Sequence, residues 1–231
     1  MDYNINVIRI KAVHNALGEL RDEVVFVGGA TVALYVNRNA AEEARPTEDI
    51  DILVEILHYG SAYNQLVEKL LALGFQPDKE SKIICRYVYQ GIIVDIMTTG
   101  EDVMGFSNKW YPVGFKNAVE HTIDKQHTIR IFSSPHFIAS KLEAFKGRGN
   151  NDGRTSEDFE DIVFVLDNRD AIWDELNNAP ADVKEYLKRE FRNMHNEQGV
   201  FEEWVYSHLE RNTAIWRLKK IIDSIETFVN V

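Results

Sequence analysis

Asp49 and Asp51 stand in the run Arg45-Pro46-Thr47-Glu48-Asp49-Ile50-Asp51, at the opening of an apolar segment. In an extended chain alternate residues share a face, so the two carboxylates point the same way while Ile50 points into the core. Carboxylates held side by side repel each other. The arrangement becomes favourable when a hard divalent cation sits between them, and Mg²⁺ takes oxygen ligands that it usually shares with substrate phosphates. Upstream, Phe26-Val27-Gly28-Gly29 puts a glycine pair where an apolar strand turns into a helix, a turn that can bring bare backbone N–H groups to those phosphates. A third carboxylate, Asp95, lies in Ile92-Ile93-Val94-Asp95-Ile96-Met97. An unpaired charge among such neighbours is costly, so a cation or a strong donor is expected beside it. If this strand neighbours the Asp49 strand, three carboxylates converge on one surface. Two would hold the metal bound to a triphosphate, and Asp95 would complete a second metal site that helps activate an attacking hydroxyl. The chemistry these residues suit is metal-dependent nucleotidyl transfer.

Hydrophobic spacing supplies the elements that must position them. Ile5 to Leu20 reads as a helix with Ile5, Ile8, Ala12 and Ala16/Leu17 on one side. Val24 to Val27 is a short buried strand, and a helix follows the glycine pair through Ala30, Leu34 and Tyr35. Asn37 to Glu48 is polar, contains Pro46 and reads as a loop. Asp49 to Ile56 is a strand, and Tyr63 to Leu73 an amphipathic helix stopped by Gly74. Lys82 to Tyr89 and Ile92 to Met97 form a hairpin through Gln90-Gly91, and Val119 to Ile123 pairs with Thr128 to Phe132 around Asp124-Lys125-Gln126. From Ser134-Pro135, a capping hydroxyl with proline at the first helical position, the chain reads as helices near 135–146, 156–168, 181–195, 200–210 and 213–228. The expected architecture is α+β: a mixed α/β domain over 1–133 and a helical domain over 134–231.

Composition narrows the function classes. A chain of 231 residues can bury a substantial core, and 45% hydrophobic with 27% charged residues is ordinary for a soluble domain. The first residues carry no basic region followed by an apolar stretch, so no signal peptide is expected, and no apolar run approaches membrane-spanning length. The single cysteine, Cys85, fits a reducing cytoplasm and, set in an alternating apolar pattern, reads as core rather than as a nucleophile. A formal net charge of −11 argues against a broad nucleic-acid-coating surface, DNA included, and counts modestly against a tRNA acceptor. Lys146-Gly147-Arg148-Gly149-Asn150-Asn151-Asp152-Gly153-Arg154 stands out as a local basic stretch, either a substrate contact or a solvated connection. The seven histidines show no metal-ligand or triad spacing.

These pieces resemble the polymerase β-like nucleotidyltransferase superfamily, and more closely the AbiEii-type (MenT-like) nucleotidyltransferase toxins. The matching pieces are Gly28-Gly29-Ala30-Thr31 after an apolar strand, the Arg45-x-Thr47-x-Asp49-x-Asp51 block and Val94-Asp95-Ile96. Lys141-Leu142-x-Ala144-x-x-x-Arg148 follows, and then Glu157-Asp158-Phe159-Glu160-Asp161-Ile162. The resemblance covers roughly Val24 to Leu166. It implies a polymerase β-like lobe followed by a helical lobe, with Asp49 and Asp51 binding Mg²⁺ and Asp95 as third carboxylate. Gly28, Gly29 and Thr31 would hold phosphates, and Lys141 would neutralise the triphosphate. Asp158 and Asp161 match the downstream acidic motif; Glu157 stands where the family usually has a basic residue.

Plainer readings stand beside these. The glycine pair can be a tight turn with positive φ, Asp49 can cap local backbone, and Lys141 can be a surface lysine on an amphipathic helix. Asp158 and Asp161, three apart on one helix face, are expected to orient Lys141 or Arg148, and Arg45 and Thr47 to brace the loop before the strand. The function expected is a cytoplasmic enzyme that moves NMP from an NTP to the hydroxyl of a tRNA end or a protein. It would be a toxin of a toxin–antitoxin or phage-defence system, with a possible cognate antitoxin. The competing functions are an aminoglycoside- or lincosamide-type antibiotic nucleotidyltransferase, whose cationic substrate an acidic surface suits, and a non-catalytic nucleotide-binding module of the same fold.

Overall fold

A computed structural model describes residues 4–36, 40, 44–56, 60–100, 108–149, 152–197 and 199–230. Backbone packing divides the chain into two units: Met1–Leu34 with Ala41–Ser133, and Tyr35–Ala40 with Ser134–Val231. The fold is mixed α+β, a seven-stranded sheet followed in sequence by helices.

In the first unit α1 spans Ile5–Ala16, capped by the Asn4 side chain accepting from Asn6 N. Its buried face differs from the expected one. Val7, Ile10, Val13 and Leu17 are buried, while Ile5 and Ile8 are largely exposed. The stripe 7-10-14-17 was masked by polar His14, which lies within it and is itself buried. The helix also stops short of Leu20. Gly18 takes φ +55, and residues Gly18–Asp22 continue as a 3₁₀ turn.

Strands β1 (Val24–Val27), β2 (Asp49–Val54), β3 (Gln76–Pro77), β4 (Arg86–Tyr89), β5 (Ile92–Thr98), β6 (Val119–Asp124) and β7 (His127–Ile131) form one sheet in the order β3-β4-β5-β2-β1-β7-β6. The β2–β5 pair is parallel, as is β1–β7; the remaining neighbours are antiparallel. A 3₁₀ turn at Gly29–Thr31 runs into a short helix, α2 (Val32–Tyr35). Helix α3 (Ser61–Ala72) and the short α4 (Tyr111–Lys116) also belong to this unit. Central strands are buried on both faces, with Val25, Phe26, Ile52, Leu53, Val94 and Ile96 almost wholly enclosed.

One expectation changes here, and two elements are new. The strand expected from Lys82 begins only at Arg86, because Ile83 and Ile84 are exposed and Cys85 sits in a turn. Two elements lack a sequence signature: β3 is two exposed residues, one of them proline, the form an edge strand takes, and α4 is only six residues long with proline in its first turn. The polar stretch from 37 to 48 lies partly outside the described residues.

In the second unit α5 (Ser134–Arg148), α6 (Glu157–Asn168), α7 (Ile172–Asn177), α8 (Ala181–His195), α9 (Val200–Ser207) and α10 (Ala214–Asn230) pack around Phe137, Leu142, Phe159, Leu187, Phe191, Ile225 and Phe228. Phe159 is the aromatic centre, with Phe145, Phe201 and Trp204 rings at 5.3, 6.2 and 5.7 Å. Ser156 caps α6 as an N-cap should, accepting from Phe159 N. The Ser134 hydroxyl does otherwise: it donates to the Glu175 carboxylate, which Arg169 also grips through two nitrogens. That pairing, with burial opposing it, holds the Glu175 carboxyl below its ordinary range.

Candidate active site

The parallel pairing of β2 with β5 sets Asp51 directly opposite Asp95 and Asp49 opposite Ile93. Asp49 and Asp51 are two apart on one strand, and side chains at matched positions on neighbouring strands point to the same face. The three carboxylates therefore converge on one side of the sheet, while Ile50 is buried on the other. Asp95 itself is buried.

The strong donor that burial of Asp95 demands is Arg86, a residue sequence reading passed over. Its Nε and one terminal nitrogen each lie 2.8 Å from an Asp95 oxygen, and the same terminal nitrogen is 2.8 Å from Asp49 Oδ2. A two-pronged guanidinium–carboxylate contact of this kind is among the stronger charge-assisted bonds. The hydrogen bonds to Asp95 raise the Arg86 pKa further. Asp49 moves the other way from a simple ion pair. Burial, then the charge of Asp95, push its carboxyl above the ordinary range even with Arg86 against it.

Gly28 closes the other side. It adopts φ +73, and a Cβ there would lie 2.7 Å from Asp51 Cγ and 2.9 Å from Asp51 Cβ, colliding with the carboxylate. The absent side chain is what lets Asp51 lie against the turn. Gly28→Ala should therefore cost about 1–3 kcal/mol through backbone strain alone and turn Asp51 away from its neighbours. Chemical denaturation and a Mn²⁺ titration, run together, check both effects; a variant matching wild type in both would show that the turn tolerates a side chain.

The Thr31 side chain is fully buried and its hydroxyl donates to Gly28 O at 2.8 Å, which ties the turn together. Gly29 is buried as well. Thr47 and Arg45 belong to the approach to β2. Asn6 accepts from Thr47 N and donates to Arg45 O, Arg9 donates to Thr47 O, and the Thr47 hydroxyl donates to Asp49 O at 2.8 Å. These bonds tie the backbone that carries Asp49 to α1. Cys85 is buried, and burial pushes its thiol up to about 12, an inert group at neutral pH.

The second unit holds the remaining candidates as a group of their own. Lys141, on α5, is buried with its Nζ 2.6 Å from Asp161 Oδ2 and 3.0 Å from Asp158 Oδ1. Arg148, two turns on, donates to both oxygens of Asp158 at 2.7 and 2.8 Å. Burial works against the Lys141 ammonium, yet Asp161 and Asp158 hold its pKa above the ordinary value. Asp158 is likewise pushed up by burial and pulled down further by Arg148 and Lys141, ending low. Lys141 is thus no surface lysine. The basic stretch from Lys146 to Arg154 is also less free than its composition suggests. Lys146 and Arg148 end α5, and Lys146, Arg148 and Arg154 pair with Glu143 and Glu190, Asp158, and Asp152 and Glu203 respectively.

The structure thus brings the Asp-x-Asp strand, the buried Asp95 of a parallel neighbour and Gly28 together. The family described as Nucleotidyl transferase AbiEii toxin, Type IV TA system, matches residues 13–219. The chain belongs to this AbiEii family. No curated protein matches it. The family is one of nucleotidyltransferase toxins of type IV toxin–antitoxin systems, and the match runs through both units from α1 into α10. Among the described residues no helix is long and apolar enough to cross a membrane.

Proposed function

We propose that this AbiEii protein transfers NMP from an NTP to an acceptor hydroxyl, with release of pyrophosphate, at the face of β2 and β5. The observation that carries the reading is the convergence of Asp49, Asp51 and Asp95 through the Asp51–Asp95 register, beside a glycine with no side chain. The donor set suits Mg²⁺: carboxylate oxygens alone, on rigid strands, already engaged by a cation in the form of Arg86. Asp49 and Asp51 would hold the ion, with Asp95 completing a second site. When bound, magnesium supplies neutralising charge to a triphosphate and lowers the barrier to losing pyrophosphate.

The protein's own share is orientation. Thr47 and the β2 register fix Asp49, Gly28 leaves room for Asp51, and the Gly28-Gly29 turn presents backbone to phosphate. In the reaction the acceptor oxygen bonds to the α-phosphorus as the α–β bridging P–O bond breaks. The hydroxyl proton leaves toward the carboxylate cluster, with Asp95 helping to activate that oxygen. The acceptor proposed is a tRNA end or a protein, and a cognate antitoxin is the regulatory partner.

Incubating the protein with each NTP labelled at the α-phosphate, Mg²⁺, and either total tRNA, cell protein or an aminoglycoside panel tests the reading. Label in tRNA or protein is the expected result. Label in the drug alone would make it an antibiotic-modifying enzyme, and nucleotide binding without any transfer would make it a binding module.

A further inference from the structure

Among the described residues no three His, Cys, Asp or Glu side chains are arranged as they stand to hold one ion. Both oxygens of Asp95 and one oxygen of Asp49 are turned onto its guanidinium. These are oxygens that the proposed magnesium site needs.

We propose that Arg86 is a positioning residue that competes with the divalent ion: its guanidinium and the metal seek the same oxygens of Asp49 and Asp95, so Arg86 sets how tightly the site takes metal. The inference rests on the metal-site reading above.

The backbone around Arg86 leaves only the side chain to give way. The two-residue turn at Gln90-Gly91 fixes Arg86 opposite Asp95 in the β4–β5 pair. Arg86 N donates to Ile83 O at 3.2 Å, Arg86 O accepts from Asp78 N at 2.9 Å, and Ile96 N donates to Cys85 O at 2.8 Å. The guanidinium is therefore delivered to the carboxylates by the sheet itself rather than by a loose loop. Its contacts are unequal. Asp95 is gripped through two nitrogens, whereas Asp49 shares one nitrogen with Asp95. Asp49 is the weaker end, since it holds one shared nitrogen where Asp95 holds two. Metal entry accordingly releases Asp49 first, and full use of Asp95 requires the fork to open.

Mn²⁺ binding to the full-length protein, followed by electron paramagnetic resonance of the free ion, tests this without reference to turnover. Arg86→Met removes the charge and keeps an unbranched stem. It should bind Mn²⁺ at least about tenfold more tightly than wild type, because the metal no longer displaces charge-assisted bonds. Arg86→Lys, a point charge that cannot span both Asp95 oxygens and Asp49, should fall between, about threefold tighter. That variant carries the test if Arg86→Met fails to fold. Equal or weaker Mn²⁺ binding in these variants overturns the proposal, since Arg86 would then be holding the carboxylates in place for metal or standing aside from it. Asp49→Asn separates the two levels of the argument. If wild type binds Mn²⁺ in a way that Asp49→Asn abolishes, and Arg86→Met is no tighter, only the competition falls. If neither wild type nor Arg86→Met shows Asp49-dependent binding, the metal site falls and the competition with it.

Discussion

Asp49→Asn combined with Asp51→Asn should abolish NMP transfer while the protein stays folded. Asparagine keeps the size of each side chain and an acceptor oxygen, and removes the charge that a divalent ion needs. Loss of such electrostatic stabilisation is worth roughly a thousandfold in rate or more. The fold should not suffer. Arg86 keeps both oxygens of Asp95, and Asp49 already sits where burial and Asp95 disfavour its charged form. Neutralising Asp49 relieves that strain, so the unfolding midpoint should hold or rise. Transfer of α-phosphate label, together with a thermal scan, reads both halves. Labelling at the wild-type rate in the double variant would remove these carboxylates from the chemistry. In cells the same variant should no longer inhibit growth.

The two-residue period of β2 was enough to place Asp49, Ile50 and Asp51, because one buried isoleucine between two carboxylates admits a single facing. Arg86 was legible by the same logic and went unread. Counting back from the Gln90-Gly91 turn pairs 89 with 92 and so 86 with 95, but a strand taken to begin at Lys82 gave no reason to single out one basic residue. Other features depend on packing that no period encodes. The face of α1 was misread because His14 occupies a core position that polarity alone assigns to solvent. The resemblance names Thr31 beside the glycines but says nothing of its own hydrogen bond, which runs back to the Gly28 carbonyl. The Lys141 pairings join two helices. Spacing puts Asp158 and Asp161 on one face of α6, but which cation meets them follows from α5 lying against it.

Those pairings make Lys141→Met the second large effect, and one read in stability. Lys141 and Asp161 are both almost fully enclosed, at 7% and 1% side-chain exposure. Removing one partner of a buried pair leaves the other charge in a medium that solvates it poorly, at a cost of about 3–5 kcal/mol. Asp158 keeps Arg148 on both its oxygens, while Asp161 loses the lysine that lies 2.6 Å from its Oδ2. Adding Asp161→Leu to Lys141→Met should recover much of the loss, since an apolar pair of similar volume needs no solvation. The pH dependence follows from the same groups. Asp158 titrates below its unfolded value of 3.8, so its stabilising contribution is present above that value and is lost as pH falls through the folded pKa. Lys141 titrates above its unfolded value of 10.5, so its contribution is present below that value and is lost as pH rises through the folded pKa. Denaturant midpoints followed by helical circular dichroism between pH 3 and pH 11 should show wild type losing stability at both ends. Lys141→Met should be low throughout and lack the alkaline loss that Lys141 contributes. A Lys141→Met protein as stable as wild type at pH 7 would mean that the two aspartates do not depend on this lysine, and would free it for a role toward the triphosphate.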